Sequence, residues 1–116
     1  MRWADIQNSL GGLLLTMGRL SAEPDLYDKA INIFLSIAGV WTRTKAPLVW
    51  ATTLANLGAA LKAKGQVSNN DAMLSKAADA FRQAGEVFTE LNMERYVAIA
   101  DAEVEDIEAT LAAHGG

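Results

Sequence analysis

The residues Trp50-Ala51-Thr52-Thr53-Leu54-Ala55-Asn56-Leu57-Gly58-Ala59-Ala60-Leu61 have a counterpart earlier in the chain. It is Trp3-Ala4-Asp5-Ile6-Gln7-Asn8-Ser9-Leu10-Gly11-Gly12-Leu13-Leu14, at an offset of 47 residues. The register holds beyond the motif: Gly18 matches Gly65, Lys29 matches Lys76, Ala30 matches Ala77, Phe34 matches Phe81 and Thr42 matches Thr89. A fixed period over a whole unit marks a repeat architecture, in which each unit buries its apolar face against its neighbour.

The spacing inside each unit is helical. Trp3, Gln7, Leu10 and Leu14 fall on one face, as do Trp50, Leu54, Leu57 and Leu61. Repeat one covers residues 2–46. It has a first helix over 2–17 capped by Gly18, and a second over 25–43 with the stripe Leu26, Ala30, Phe34, Ile37 and Trp41. Repeat two covers residues 47–92. Its first helix spans 47–64 and is capped by Gly65, and its second spans 71–91 with the stripe Met73, Ala77, Phe81, Ala84 and Phe88. A fifth helix over 94–113 aligns with the first helix of a repeat but has lost the motif. Asp101 stands at the place of Leu54, Glu105 at that of Gly58 and Glu108 at that of Leu61. Terminal repeats are atypical because one face meets water, so this helix reads as a cap.

Gly11 and Gly58 lie mid-helix, where Gly costs about 1 kcal/mol relative to Ala. Two such positions in matching register point to close helix approach. Ala30 and Ala77 are the expected small counterparts, with Phe34 and Phe81 filling the space one turn further on.

These residues resemble the tetratricopeptide repeat. Repeat two supplies Leu54, Leu57-Gly58, Leu61, Gly65, Ala77, Phe81 and Ala84 at that family's spacing within each helix. Repeat one supplies Gln7, Leu10-Gly11, Leu14, Gly18, Ala30, Phe34 and Ile37. The stretch between Gly65 and Ala77 is longer than in the common form, which resembles the long-period bacterial variants. The resemblance implies one all-α domain over 1–116, an antiparallel helix-pair solenoid of two repeats plus a C-terminal capping helix. It also implies a groove, lined by the first helix of each repeat, that takes a peptide or protein segment. The groove positions carry over to Asp5, Asn8, Gly12, Leu15 and Thr16, then to Thr52, Ala55, Ala59, Lys62 and Ala63. On the last helix they are Ile99, Ala102, Asp106, Ala109 and Thr110. Some members of the family grip a C-terminal carboxylate with a Lys/Asn clamp. Only Asn8 and Lys62 are available for one here, so no such clamp is expected.

Composition narrows the rest. The chain has 116 residues, net charge -4 and no cysteine. An acidic balance disfavours nucleic acid, whose binding needs clustered Lys and Arg. The absence of cysteine fits a reducing, cytoplasmic setting. The uncharged apolar-rich runs, such as residues 30–42, all fall short of the roughly 20 residues that cross a bilayer, so no membrane partner is expected. Asp5, together with the internal recurrence of the same segment, argues against a signal peptide. No enzyme is expected either. His114 is the single His, and there is no nucleophile–base set and no phosphate-cradling loop. No cofactor or metal is expected. Asp101, Glu105 and Glu108 share a face, which reads as a solvated acidic cap. Residues 86–116 hold eight acidic residues against Arg95 alone, so this end could also pair with a basic partner.

About three repeats are usually needed for stability. Two repeats and a cap leave Trp3, Ile6, Leu10 and Leu13 as an apolar patch on the first helix, and such patches mark interfaces. Three readings follow. The chain is an interaction module with a foreign segment in its groove; or it self-associates through Trp3, Ile6, Leu10 and Leu13, or continues a longer array; or it is a small-ligand-binding bundle.

Overall fold

The computed structural model describes residues 2–115 and is all-helical, with no strand among them. Five helices follow one another: α1 (Arg2–Ser21), α2 (Pro24–Val40), α3 (Pro47–Val67), α4 (Asp71–Glu90) and α5 (Glu94–Gly115). Each packs on the next, and α1 also packs on α3. The result is two helix pairs, α1–α2 and α3–α4, closed by α5, as the repeat reading predicts. The array measures 40 × 29 × 21 Å.

The starts follow local chemistry. Pro24 and Pro47 open α2 and α3, where a missing N–H costs nothing. At α4 the Asn70 side chain accepts from the Met73 N–H at 3.1 Å, which satisfies one of the orphan donors. The ends differ from expectation. Gly18 and Gly65 do not cap anything; both lie buried inside helices that run on to Ser21 and Val67. The left-handed residues that turn the chain are instead Ala22, Asn69 and Asn92. The stretch between Gly65 and Ala77 is therefore mostly helical, with only residues 68–70 outside α3 and α4. In contrast, α2 stops at Val40, short of Arg43. Arg43 lies in the following turn, over the Trp50 ring at 5.7 Å, and pairs with Glu90 at 2.8 Å and Glu86 at 3.3 Å on α4. At the other end α5 reaches Gly115 and His114 Nδ1 stands 2.7 Å from Asp71 Oδ1, so this end is tied down by a helix start.

Four of the in-helix glycines face large side chains. A Cβ on Gly11 would lie 2.5 Å from Phe34, and one on Gly58 would lie 2.8 Å from Phe81. The second pair repeats the pattern: Gly18 meets Tyr27 at 2.7 Å and Gly65 meets Leu74 at 2.9 Å. Each unit thus seats two large residues of its second helix on two glycines of its first. The counterpart of each central glycine is the aromatic ring itself, not Ala30 or Ala77, although both alanines are fully buried.

This contact sets the rotation of α1. Its inward stripe is Ala4, Gly11, Leu15 and Gly18. Trp3 and Leu10, part of the apolar patch expected on this helix, face outward. Helix α3 lies centrally and buries residues around most of its circumference, including Ala51, Thr53, Leu54, Leu57 and Ala60. Helix α4 buries Ala77, Phe81, Ala84 and Phe88 as expected. It adds Leu74, Ala78 and Val87, because it packs on both α3 and α5.

Candidate functional site

The groove positions carried over from the sequence lie on α1, α3 and α5, and the structure divides them into two groups. Asn8 and Lys62 are committed within the fold. Asn8 Nδ2 donates to Thr53 Oγ1 at 3.1 Å, and Asn8 Oδ1 accepts from Asn56 Nδ2 at 3.2 Å. Thr53 Oγ1 in turn donates to the Val49 carbonyl at 2.7 Å. This chain of bonds ties α1 to α3 and satisfies the buried Thr53 hydroxyl. Lys62 Nζ lies 2.7 Å from Asp106 and 3.1 Å from Glu103, both on α5. Partial burial lowers the Lys62 pKa, but the two carboxylates outweigh it and hold the ammonium above its ordinary value. Neither residue is left over to clamp a carboxylate.

The second group lines open space. Thr52 and Ala55 on α3 face Tyr96, Ile99 and Ala100 on α5 across a notch of about 210 Å³. Its floor is Phe81 and Phe88 from α4, and Asn56 stands at its edge. The notch exists because α5 leans on α4 while α3 is held beneath it: Phe88 and Tyr96 stack with ring centroids 5.3 Å apart. Lys62 closes the next turn along with its two ion pairs. Tyr96 and Ile99 remain exposed at the mouth. The lining is aromatic and aliphatic, with one amide and two hydroxyls, and this suits an apolar side chain carried on a polar backbone. Its volume is below the roughly 300–1,000 Å³ of small-molecule sites.

The remaining groove positions are mixed: Leu15 and Ala63 are buried in the core, and Asp106 is paired with Lys62. Asp5 is exposed, Gly12 is half-buried with open space above it, and Ala59 packs partly into the core. Phe81, Phe88 and Tyr96 were missed as site residues in sequence. Phe81 and Phe88 read as core stripe, and they serve both as core and as floor. A larger hollow of about 460 Å³ lies between α2 and α4 over Leu54, Leu57 and Leu61.

The residues Trp3, Ile6, Leu10 and Leu13 are exposed on α1, and Met17 and Leu20 continue the same face. The acidic face of α5 is partly paired, with Glu108 3.0 Å from Arg82. Among the described residues no cluster of metal-ligating side chains occurs, and no helix is long and apolar enough to cross a membrane. Compared with protein-family models, curated proteins and solved structures, the chain matches none of them.

Proposed function

We propose that the chain is a protein-interaction module of the tetratricopeptide kind, an adaptor or scaffold acting in the cytoplasm and carrying out no reaction. It holds a peptide or protein segment along the α1–α3–α5 face. The observation that carries this reading is the notch between α3 and α5. It is an aromatic-floored site of one-side-chain size, with hydroxyls and an amide at its rim to meet a backbone. Burying one large apolar side chain there is worth about 2 kcal/mol, so the anchor would need neighbouring contacts to reach useful affinity. Asp5, Gly12 and Ala59 lie along the path such a segment would follow, while Asn8 and Lys62 hold the helices that form it.

Selection of a random peptide library against the chain tests this. The expected outcome is a set of binders sharing a large apolar anchor, all lost with Thr52→Arg, which fills the notch from an exposed position. Binders that keep their affinity for Thr52→Arg would refute the proposed site.

A further inference from the structure

We propose that the junction between the two repeats is a binding site for a small carboxylate with an apolar body. The site is a hollow of about 420 Å³ between the α2–α3 turn and the end of α4, with Trp41, Lys45, Pro47, Leu48, Val49 and Leu91 in its lining. Its size falls within the roughly 300–1,000 Å³ of small-molecule sites, which the notch does not reach. It shares no residue with the notch, so it stands apart from the groove reading.

Three unanswered donors meet there. The first is the Trp41 indole N–H. Its Nε1 is buried without an acceptor, and it is the one side-chain nitrogen or oxygen in that state among the described residues. Buried polar groups are normally paired, so an orphan beside a hollow points to a partner that the hollow admits.

The second is the start of α3. Ala46 precedes Pro47 and has no side chain that can cap the helix, and the first turn holds no acidic residue. The N–H groups of Leu48 and Val49 come before the first intrahelical bond, which Trp50 makes to the Ala46 carbonyl at 2.9 Å. They present the positive end of a 21-residue helix to the hollow that both residues line.

The third is Lys45, which is exposed and has no ion pair among the described residues. Arg43 already holds Glu86 at 3.3 Å and Glu90 at 2.8 Å, so those two carboxylates on α4 are answered without it.

A neutral acceptor would answer the indole but neither the ammonium nor the helix end. A carboxylate answers all three, and its two oxygens make charge-assisted bonds. The rest of the lining sets the body of the ligand. Leu48 and Leu91 are 48% and 39% exposed, and with Pro47 and Val49 they make an apolar wall. Inorganic phosphate would satisfy the donors and leave that wall wet, whereas an aliphatic chain removes it from water. The Trp41 N–H is shut off from solvent, so the ring turns towards the hollow as the acceptor enters.

The chain has three Trp residues, so the nitrogen-15 spectrum holds three indole N–H signals, and Trp41→Phe assigns the relevant one. Titration with octanoate over roughly 0.1–20 mM should move the Trp41 indole signal downfield in a saturable way. The amides of Leu48 and Val49 should move with it, and those of Tyr96 and Ile99 should stay. A Trp41 indole signal that does not move overturns the proposal, and so do shifts centred on the notch. Octanol, which has the same chain without the charge, should bind at least about tenfold more weakly, and so should octanoate to Lys45→Met. Equal binding of octanol would leave an apolar hollow with no carboxylate site and overturn the assignment. Leu48→Glu sets a like charge in the hollow from an exposed position and should abolish binding with thermal stability kept. Octanoate bound by Leu48→Glu as tightly as by the unmodified chain overturns the location.

Discussion

Gly11 and Gly12 are neighbours on one helix, and substitution by alanine should move stability in opposite directions. The helix gains about 1 kcal/mol from either change, because alanine loses less backbone freedom than glycine on folding. At Gly12 nothing stands within 4 Å of the added methyl, so the gain is kept. At Gly11 the methyl would meet Phe34 at 2.5 and 2.7 Å. Phe34 is fully buried in the cluster with Ala30, Ile37 and Leu57, so its ring has nowhere to retreat. Overpacking of this kind costs about 1–3 kcal/mol, and the rigid ring puts Gly11 in the upper part of that range. The net expectation is a loss of about 1–2 kcal/mol for Gly11→Ala and a gain of about 1 kcal/mol for Gly12→Ala. For a domain of this size that is a fall in Tm of roughly 4–8 °C against a rise of about 4 °C. Thermal and urea unfolding followed by circular dichroism measure both. Gly58→Ala, with Phe81 at 2.8 Å, should behave like Gly11→Ala. A Gly11→Ala protein as stable as Gly12→Ala would refute the ring-on-glycine packing that defines each repeat.

Lys62→Met should loosen α5, costing about 1–2 kcal/mol through the lost charge-assisted bonds to Asp106 and Glu103, with faster amide exchange along α5 as the readout. The Lys62 pKa is raised above 10.5 in the folded chain, so its contribution is complete below that value and is lost as pH rises through the higher folded value. Alkaline titration should therefore destabilise the unmodified chain more than Lys62→Met, and equal losses would remove Lys62 from the α3–α5 contact. Thr53→Val keeps the shape but takes away the acceptor of Asn8, and should cost about 1–2 kcal/mol, nearly all of it absent in an Asn8→Ala background. Tyr96→Ala should weaken peptide capture at least tenfold while changing stability by about 1 kcal/mol, since its ring is half exposed but stacks on Phe88.

The helix-pair architecture was legible because the 47-residue period binds each local reading to a second, independent copy. The element ends were less legible. Glycine is both the usual helix stop and the residue that admits a large side chain, and Gly18 and Gly65 serve the second role, under Tyr27 and Leu74. Sequence spacing alone cannot separate the two, because both place a small residue one or two turns after the motif. Helical spacing puts Trp3, Gln7, Leu10 and Leu14 on one face without saying which face turns inward; the structure buries the glycine face and leaves Trp3 and Leu10 outside. The patch named from Trp3, Ile6, Leu10 and Leu13 is indeed exposed, and its continuation to Leu20 is written in the sequence. Of the groove positions, Thr52 and Ala55 do line the notch. Asn8 and Lys62 turn inward to partners on other helices, which only the packed structure brings near. The floor residues Phe81 and Phe88 were visible as core; their second role depends on how α5 stands over α4.

The most direct test of the account is to map the contact of a selected peptide by amide chemical shifts on the isotope-labelled chain. The expected result is a cluster of shifts at Thr52, Ala55, Asn56, Tyr96 and Ile99, with α2 unmoved. Shifts centred on Leu35, Leu61 and Gln83, around the hollow between α2 and α4, would place the partner on the opposite set of helices and contradict the account.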